Sequence, residues 1–266
     1  MNHIEDGIVA AADAESLGGI AAGSYALKTD IAPDSTMLGS KAPAYYLQPR
    51  NLLDNSDFTN PVNQRGASSY TGTGYAIDRW RSWVDSNTLT IHDGYITTTG
   101  DYAQYIKGLS EGTYSAFAMR TDGTLIQIDT GYESPNDWRY VNLPAGSYVW
   151  VALYEGSYTA DTLPPYVPKG YAAEMAECQR YFQTIPYYFA QNSVNTNSNY
   201  PSYFPIQFFP MRIAPTVTLN ESWNSNTVRK TTTGVTERSL SIGFVLDSGS
   251  NGFLQWSGSI ILSADL

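Results

Sequence analysis

Ser147-Tyr148-Val149-Trp150-Val151-Ala152-Leu153-Tyr154 alternates along its length. Val149, Val151 and Leu153 fall on one side, and Tyr148, Trp150 and Tyr154 on the other. That period of two belongs to a strand with two distinct faces. Similar short runs precede it at 88–91, 95–98, 102–106, 113–119 and 125–128. Turn residues punctuate them: Asp93-Gly94, Glu111-Gly112, Asp122-Gly123 and Pro144-Ala145-Gly146. Many short strands at regular spacing predict a jelly-roll-like β-sandwich over 51–168. Leu163-Pro164-Pro165-Tyr166-Val167-Pro168 is a proline-stiffened exit from it.

The last third, 169–266, opens on a helical pattern. Tyr171, Met175, Cys178 and Phe182 recur at helical spacing, with Glu174, Glu177, Gln179, Arg180 and Gln183 off that stripe. This predicts one short amphipathic helix ended by Pro186. Strands are expected again at 187–190, 203–209, 216–219, 240–246 and 253–262, with strict alternation in Leu240, Ile242, Phe244 and Leu246. The fold class is therefore all-β: a sandwich, then a second C-terminal β-sandwich with one short helix.

Residues 1–50 differ in composition. They are rich in Ala, Asp and Ser, and two stretches, Asp13 to Tyr25 and Asp34 to Tyr46, repeat Asp, Leu, Gly, Ala and Tyr at an offset of 21. Two copies cannot bury a core alone, so they predict a segment that needs neighbours.

Composition narrows the function classes. Only 15% of residues are charged, against 42% apolar, and 21 are tyrosines. Such a Tyr-, Ser-, Asn- and Gly-rich surface suits recognition. The formal charge is −10 and the longest basic run is Arg229-Lys230. A nucleic-acid partner needs a basic face, so none is expected. No stretch approaches the roughly 20 apolar residues of a membrane span, so no membrane insertion is expected. The N-terminus has neither the basic nor the apolar part of a signal peptide, which predicts synthesis in a cytoplasm without export. Cys178 is the single cysteine, which excludes an intrachain disulfide.

Three blocks carry a resemblance. They are Asn51-Leu52-Leu53-Asp54-Asn55-Ser56-Asp57-Phe58, Pro61-Val62-Asn63-Gln64-Arg65-Gly66 and Tyr75-Ala76-Ile77-Asp78-Arg79-Trp80. Together they resemble a pattern common in bacteriophage and prophage tail-fibre, or receptor-binding, proteins. Glu177-Cys178-Gln179-Arg180-Tyr181-Phe182, Ala214-Pro215-Thr216-Val217-Thr218, the terminal Ser263-Ala264-Asp265-Leu266 and the Leu-Gly repeat of the first part are also similar. The resemblance implies a virion component, a homotrimer. Residues 1–50 would attach to a phage tail or baseplate protein, and 169–266 would be a receptor-binding tip facing a host polysaccharide or protein. It implies no catalytic residues and no cofactor.

Residues 51–58 and Asp78-Arg79-Trp80 read as structural, an Asp-Arg pair supporting a buried Trp. A glycosidase pair would need two carboxylates at a defined separation, and nothing singles out two among Asp78, Asp93, Asp101, Glu133 and Asp137. The histidines are His3 and His92, which support no hydrolase triad, and no metal-ligand spacing exists. No catalytic or metal-binding residue is expected. Cys178, on the apolar stripe, reads as a buried small hydrophobe. The recognition candidates are Tyr187, Tyr188, Asn192, Asn195, Tyr200 and Tyr203, with Trp223 in a second loop. Aromatic rings can cover the C–H faces of sugars, and amides can donate to and accept from their hydroxyls. The expected function is attachment to a cell surface through glycans. A structural connector of the tail and a polysaccharide-degrading hydrolase are the rival expectations.

Overall fold

The computed structural model describes residues 16–17, 20–21, 49–133, 137–191, 202–225, 228–246 and 254–265. The chain divides into two compact units: 1–49 with 162–165, and 50–161 with 166–266. In the first, β1 (Ser16–Leu17) and β2 (Ile20–Ala21) pair antiparallel inside the first copy of the repeat. The second copy, 34–46, lies outside the described residues.

Among the described residues, the strands of the second unit all pair antiparallel. Its first part holds β3 (Ser69–Thr71), β4 (Gly74–Tyr75), β5 (Arg81–Ser82), β6 (Thr88–His92), β7 (Tyr95–Thr98), β8 (Tyr102–Lys107), β9 (Tyr114–Arg120), β10 (Leu125–Glu133), β11 (Trp138–Leu143) and β12 (Gly146–Glu155). They form one ten-stranded sheet in the order β3-β6-β7-β12-β9-β10-β11-β8-β5-β4. β10 is the fold line. Its first half pairs with β9 through Leu125–Met119 to Ile128–Ala116, and its second half with β11 through Asp129–Asn142 to Glu133–Trp138. The sheet thus turns back on itself, and residues from both halves share one core: Leu89, Ile96, Tyr102, Ala116, Ala118, Val141, Leu143, Val151 and Leu153. The hairpin turns follow the sequence signals. Gly94 and Gly123 take φ of 82° in β6–β7 and β9–β10, a conformation that glycine adopts without steric cost.

The alternation in β12 does not run as the sequence suggests. A bulge lies between Tyr148 and Trp150. An extra residue reverses the parity of everything before it. Tyr148, not Val149, therefore joins Val151 and Leu153 in the core. Beyond the bulge, residues 52–58 cover the edge of β12 that β7 has left. Leu52 N donates to Leu153 O (3.0 Å), Val151 N to Ser56 O (3.0 Å) and Phe58 N to Val149 O (2.9 Å).

The second part carries α1 (Tyr171–Gln179), β13 (Phe182–Gln191), β14 (Ser202–Gln207), β15 (Thr216–Ser225), β16 (Val228–Thr233), β17 (Ser239–Leu246) and β18 (Leu254–Ser263). Two three-stranded sheets, β13-β18-β15 and β14-β17-β16, enclose a core of Ile206, Leu240, Ile242, Phe244, Trp256, Ile260 and Leu262. The molecule is thus an all-β sandwich protein with one helix in the described residues. That helix is shorter than its sequence stripe. It ends at Gln179; Phe182 begins β13, and Pro186 sits inside β13 opposite Ser259. A proline is tolerated there because β13 is an edge strand. The buried helix residues are Glu174 and Cys178, with Tyr171 exposed. Besides the two- and three-residue strands β1 to β5, two longer strands escaped sequence reading. β11 hides because Arg139 occupies an inward position, its guanidinium 3.7 Å from the Tyr114 ring. β16, Val-Arg-Lys-Thr-Thr-Thr, is a polar edge strand with no apolar alternation.

Candidate functional site

The aromatic candidates are distributed by strand parity. In β13, Ile185, Tyr187 and Phe189 pack on the core. Tyr187 lies 5.4 Å from the Trp256 ring, and Phe189 lies 4.1 Å from Phe204. Tyr187 is therefore a core-facing residue, not part of a recognition face. Tyr188 points the other way, is 63% exposed, and its hydroxyl accepts from Gln255 Nε2 at 2.5 Å. Tyr203 in β14 is 51% exposed and lies against the bare backbone of Gly243; a Cβ there would be 2.7 Å from its ring. β13 and β14 belong to opposite sheets, so Tyr188 and Tyr203 stand on different outer faces rather than in one patch.

Trp223 was expected in a loop and instead lies in β15, where a second bulge falls between Glu221 and Trp223. The register places Trp223 opposite Ser257, and Ser257 is also the partner of Tyr188. Tyr188, Ser257 and Trp223 thus form one row across three strands, its ends two strand spacings or about 10 Å apart. Asn192, Asn195 and Tyr200 lie outside the described residues.

The polar segments at 51–58, 61–66 and 75–80 build a buried scaffold instead of an open site. Trp80 is fully buried, and its Nε1 donates to Asn55 O at 2.9 Å. The Asp-Arg pair expected beside it is exchanged. Arg79 bonds Asp54 (3.0 Å), while Asp78 bonds Arg65 (2.8 Å), which also reaches Asp265 (2.5 Å). Glu174 of α1 accepts from the Asn55 and Ser56 amides and from Ser56 Oγ (3.0 Å). Burial pushes the Asp78 carboxyl from 3.8 up to about 6, against the lowering pull of Arg65. Burial also raises Glu174, Asp265 and the Cys178 thiol. The other carboxylates named as glycosidase candidates are spread apart in the sheet. Asp101 accepts from Asn142 Nδ2 (3.4 Å) and Asp137 from Tyr132 (3.0 Å), Glu133 stands opposite Trp138, and Asp93 sits in the β6–β7 turn.

The chain matches no protein-family model, no curated protein and no solved structure. Its site must be read from its own residues. Sequence reasoning did not single out Trp83, Tyr105, Trp138 and Tyr140, which come together on the outer face of the ten-stranded sheet. The period-2 placement of Trp138 and Tyr140 was the signal that could have found them, had β11 been recognised.

Proposed function

We propose that this chain is a phage tail-fibre or receptor-binding protein that attaches the virion to glycans on the host surface. The observation that carries the reading is Tyr188, exposed on the outer face of the C-terminal sandwich and in backbone register with Trp223 through Ser257. Tyr188 offers an exposed ring with the Gln255 amide bonded to its hydroxyl. A ring face beside amide and hydroxyl groups suits a sugar, which presents C–H faces and hydroxyl edges together. The row sits on paired strands rather than a loop, so it is held in place before binding. In a homotrimer three such rows would act together, and individually weak sites would add by avidity. Residues 1–50 would dock on the tail or baseplate.

The test is binding of the full chain to cells of the host strain and to its extracted surface polysaccharide, with polymer length monitored. Saturable binding with the polymer intact, weakened in Y188A, is the expected result. Shortening of the polymer would replace this reading with the hydrolase. Absence of binding to both cells and polymer would replace it with a connector inside the tail.

A further inference from the structure

Strand β11 separates its side chains cleanly. Arg139, Val141 and Leu143 are buried, which leaves Trp138, Tyr140 and Asn142 on the opposite, outward face. The register of its two neighbours arranges three rows there. Lys107, Trp138 and Glu133 form one, Tyr105, Tyr140 and Gly131 the next, and Ala103, Asn142 and Asp129 the third. Arg81 of β5 extends the third row beyond Ala103. Trp83, just past β5, is 50% exposed and meets Tyr105 edge-on at 5.2 Å. Tyr105 in turn lies 5.8 Å from Tyr140 and 6.3 Å from Trp138. Four rings thus make a continuous band across three strands, on the side of the sheet away from its core.

Three details mark the band as built. A Cβ on Gly131 would stand 2.4 Å from the Tyr140 ring, so only glycine lets that tyrosine lie down on the sheet. Cations flank the rings: the Arg81 guanidinium is 4.8 Å from Trp83, and Lys107 Nζ is 5.5 Å from Trp138. Carboxylates share the same rows, Glu133 beside Trp138 and Asp129 beside Asn142.

We propose that this face is a saccharide-binding surface, separate from the Tyr188–Trp223 row, that takes a chain of hexopyranose units. The rows contain no Leu, Ile or Val, so the rings are set among charged and amide groups rather than in an aliphatic patch of the kind a protein partner would bury. Carboxylates in the same rows and a chain charge of −10 disfavour a polyanion such as nucleic acid. A sugar chain matches what remains. Its C–H faces stack on Trp83 and Trp138, and its hydroxyls pair with Arg81, Lys107, Asn142, Asp129 and Glu133, which together donate and accept. This site does not depend on the attachment reading; it concerns a different sheet and different residues.

The test is a glycan array probed with the full-length chain, followed by titration of the best-bound oligosaccharide against wild type, W83A, W138A and Y188A. Matching thermal midpoints establish that each variant is folded. The expected outcome is that W83A and W138A each weaken binding about tenfold, the contribution of one stacked ring, and by more than Y188A does. Should W138A fail to fold, W83A and the indole N–H shifts of the wild-type protein on titration decide the matter. No binding anywhere on the array overturns the proposal. So does binding that Y188A abolishes and W83A leaves intact, an outcome under which the attachment reading would still stand.

Discussion

Arg65 holds two buried carboxylates at once, Asp78 at 2.8 Å and Asp265 at 2.5 Å, while its guanidinium packs 3.8 Å from the Phe182 ring. Taking these groups from water is costly even when they are paired. The cost shows in Asp78, lifted from 3.8 to about 6 chiefly by burial and further by Asp265. A carboxyl that binds its proton more tightly when folded favours the folded state in full below its ordinary pKa. That contribution is lost as pH rises through about 6. The difference corresponds to at most about 3 kcal/mol. Urea unfolding should therefore show stability rising as pH falls from 7 toward 5, and D78N should flatten that slope. An unchanged slope in D78N would assign the titration elsewhere. The sequence marked Asp78, Arg79 and Trp80 as structural but not their partners, because Asp78 and Arg79 bond residues 13 and 25 positions away. Nothing local encodes that choice.

Strand β12 shows how one inserted residue redirects an element. Read by alternation alone, Val149 belongs inside and Tyr148 outside; with the bulge, Tyr148 is fully buried and Val149 half-buried. The two arrangements make opposite forecasts for a lysine scan. Y148K should cost about 3 kcal/mol or more by placing a charge in the core, whereas V149K should cost no more than about 1 kcal/mol. Chemical denaturation of the pair measures this, and the reverse order would refute the bulged register. The helix teaches the same lesson. Its stripe was assigned from Tyr171, Met175, Cys178 and Phe182, yet the residue it buries beside Cys178 is Glu174. Glu174 is inward because the amides of Asn55 and Ser56 lie there as donors. A polar residue that answers buried polar groups is invisible to a hydrophobic pattern.

The larger unit contains two apolar cores, one within the folded ten-stranded sheet and one between the two three-stranded sheets. Polar links join their scaffolds, with Arg65 reaching Asp265, Gln64 donating to Phe182 O (2.7 Å), and Arg79 stacked on Tyr181 (3.5 Å). The trimer we propose for attachment would triple both the Tyr188 row and the Trp83 band in one particle. Light scattering of the full chain at micromolar concentration should return three times 29.3 kDa. A monomer mass would remove the avidity on which the attachment reading relies, while leaving each face able to bind singly.

The alternating runs, the Asp-Gly turns and the proline-stiffened exit determined the all-β class and most strand positions without any knowledge of the fold. These are local properties, set by the side-chain period of a strand and by the φ angles that glycine permits. Tertiary structure alone decided that β10 would serve both halves of the sheet, and that Tyr187 would face the core while Tyr188 faced outward. It also brought Trp223 into the row of Tyr188, and Trp83 beside Tyr105 and Tyr140. Those neighbours are separated along the chain and meet only through strand order and register. Register in turn depends on bulges and on burial of a whole face, which no short stretch of sequence contains.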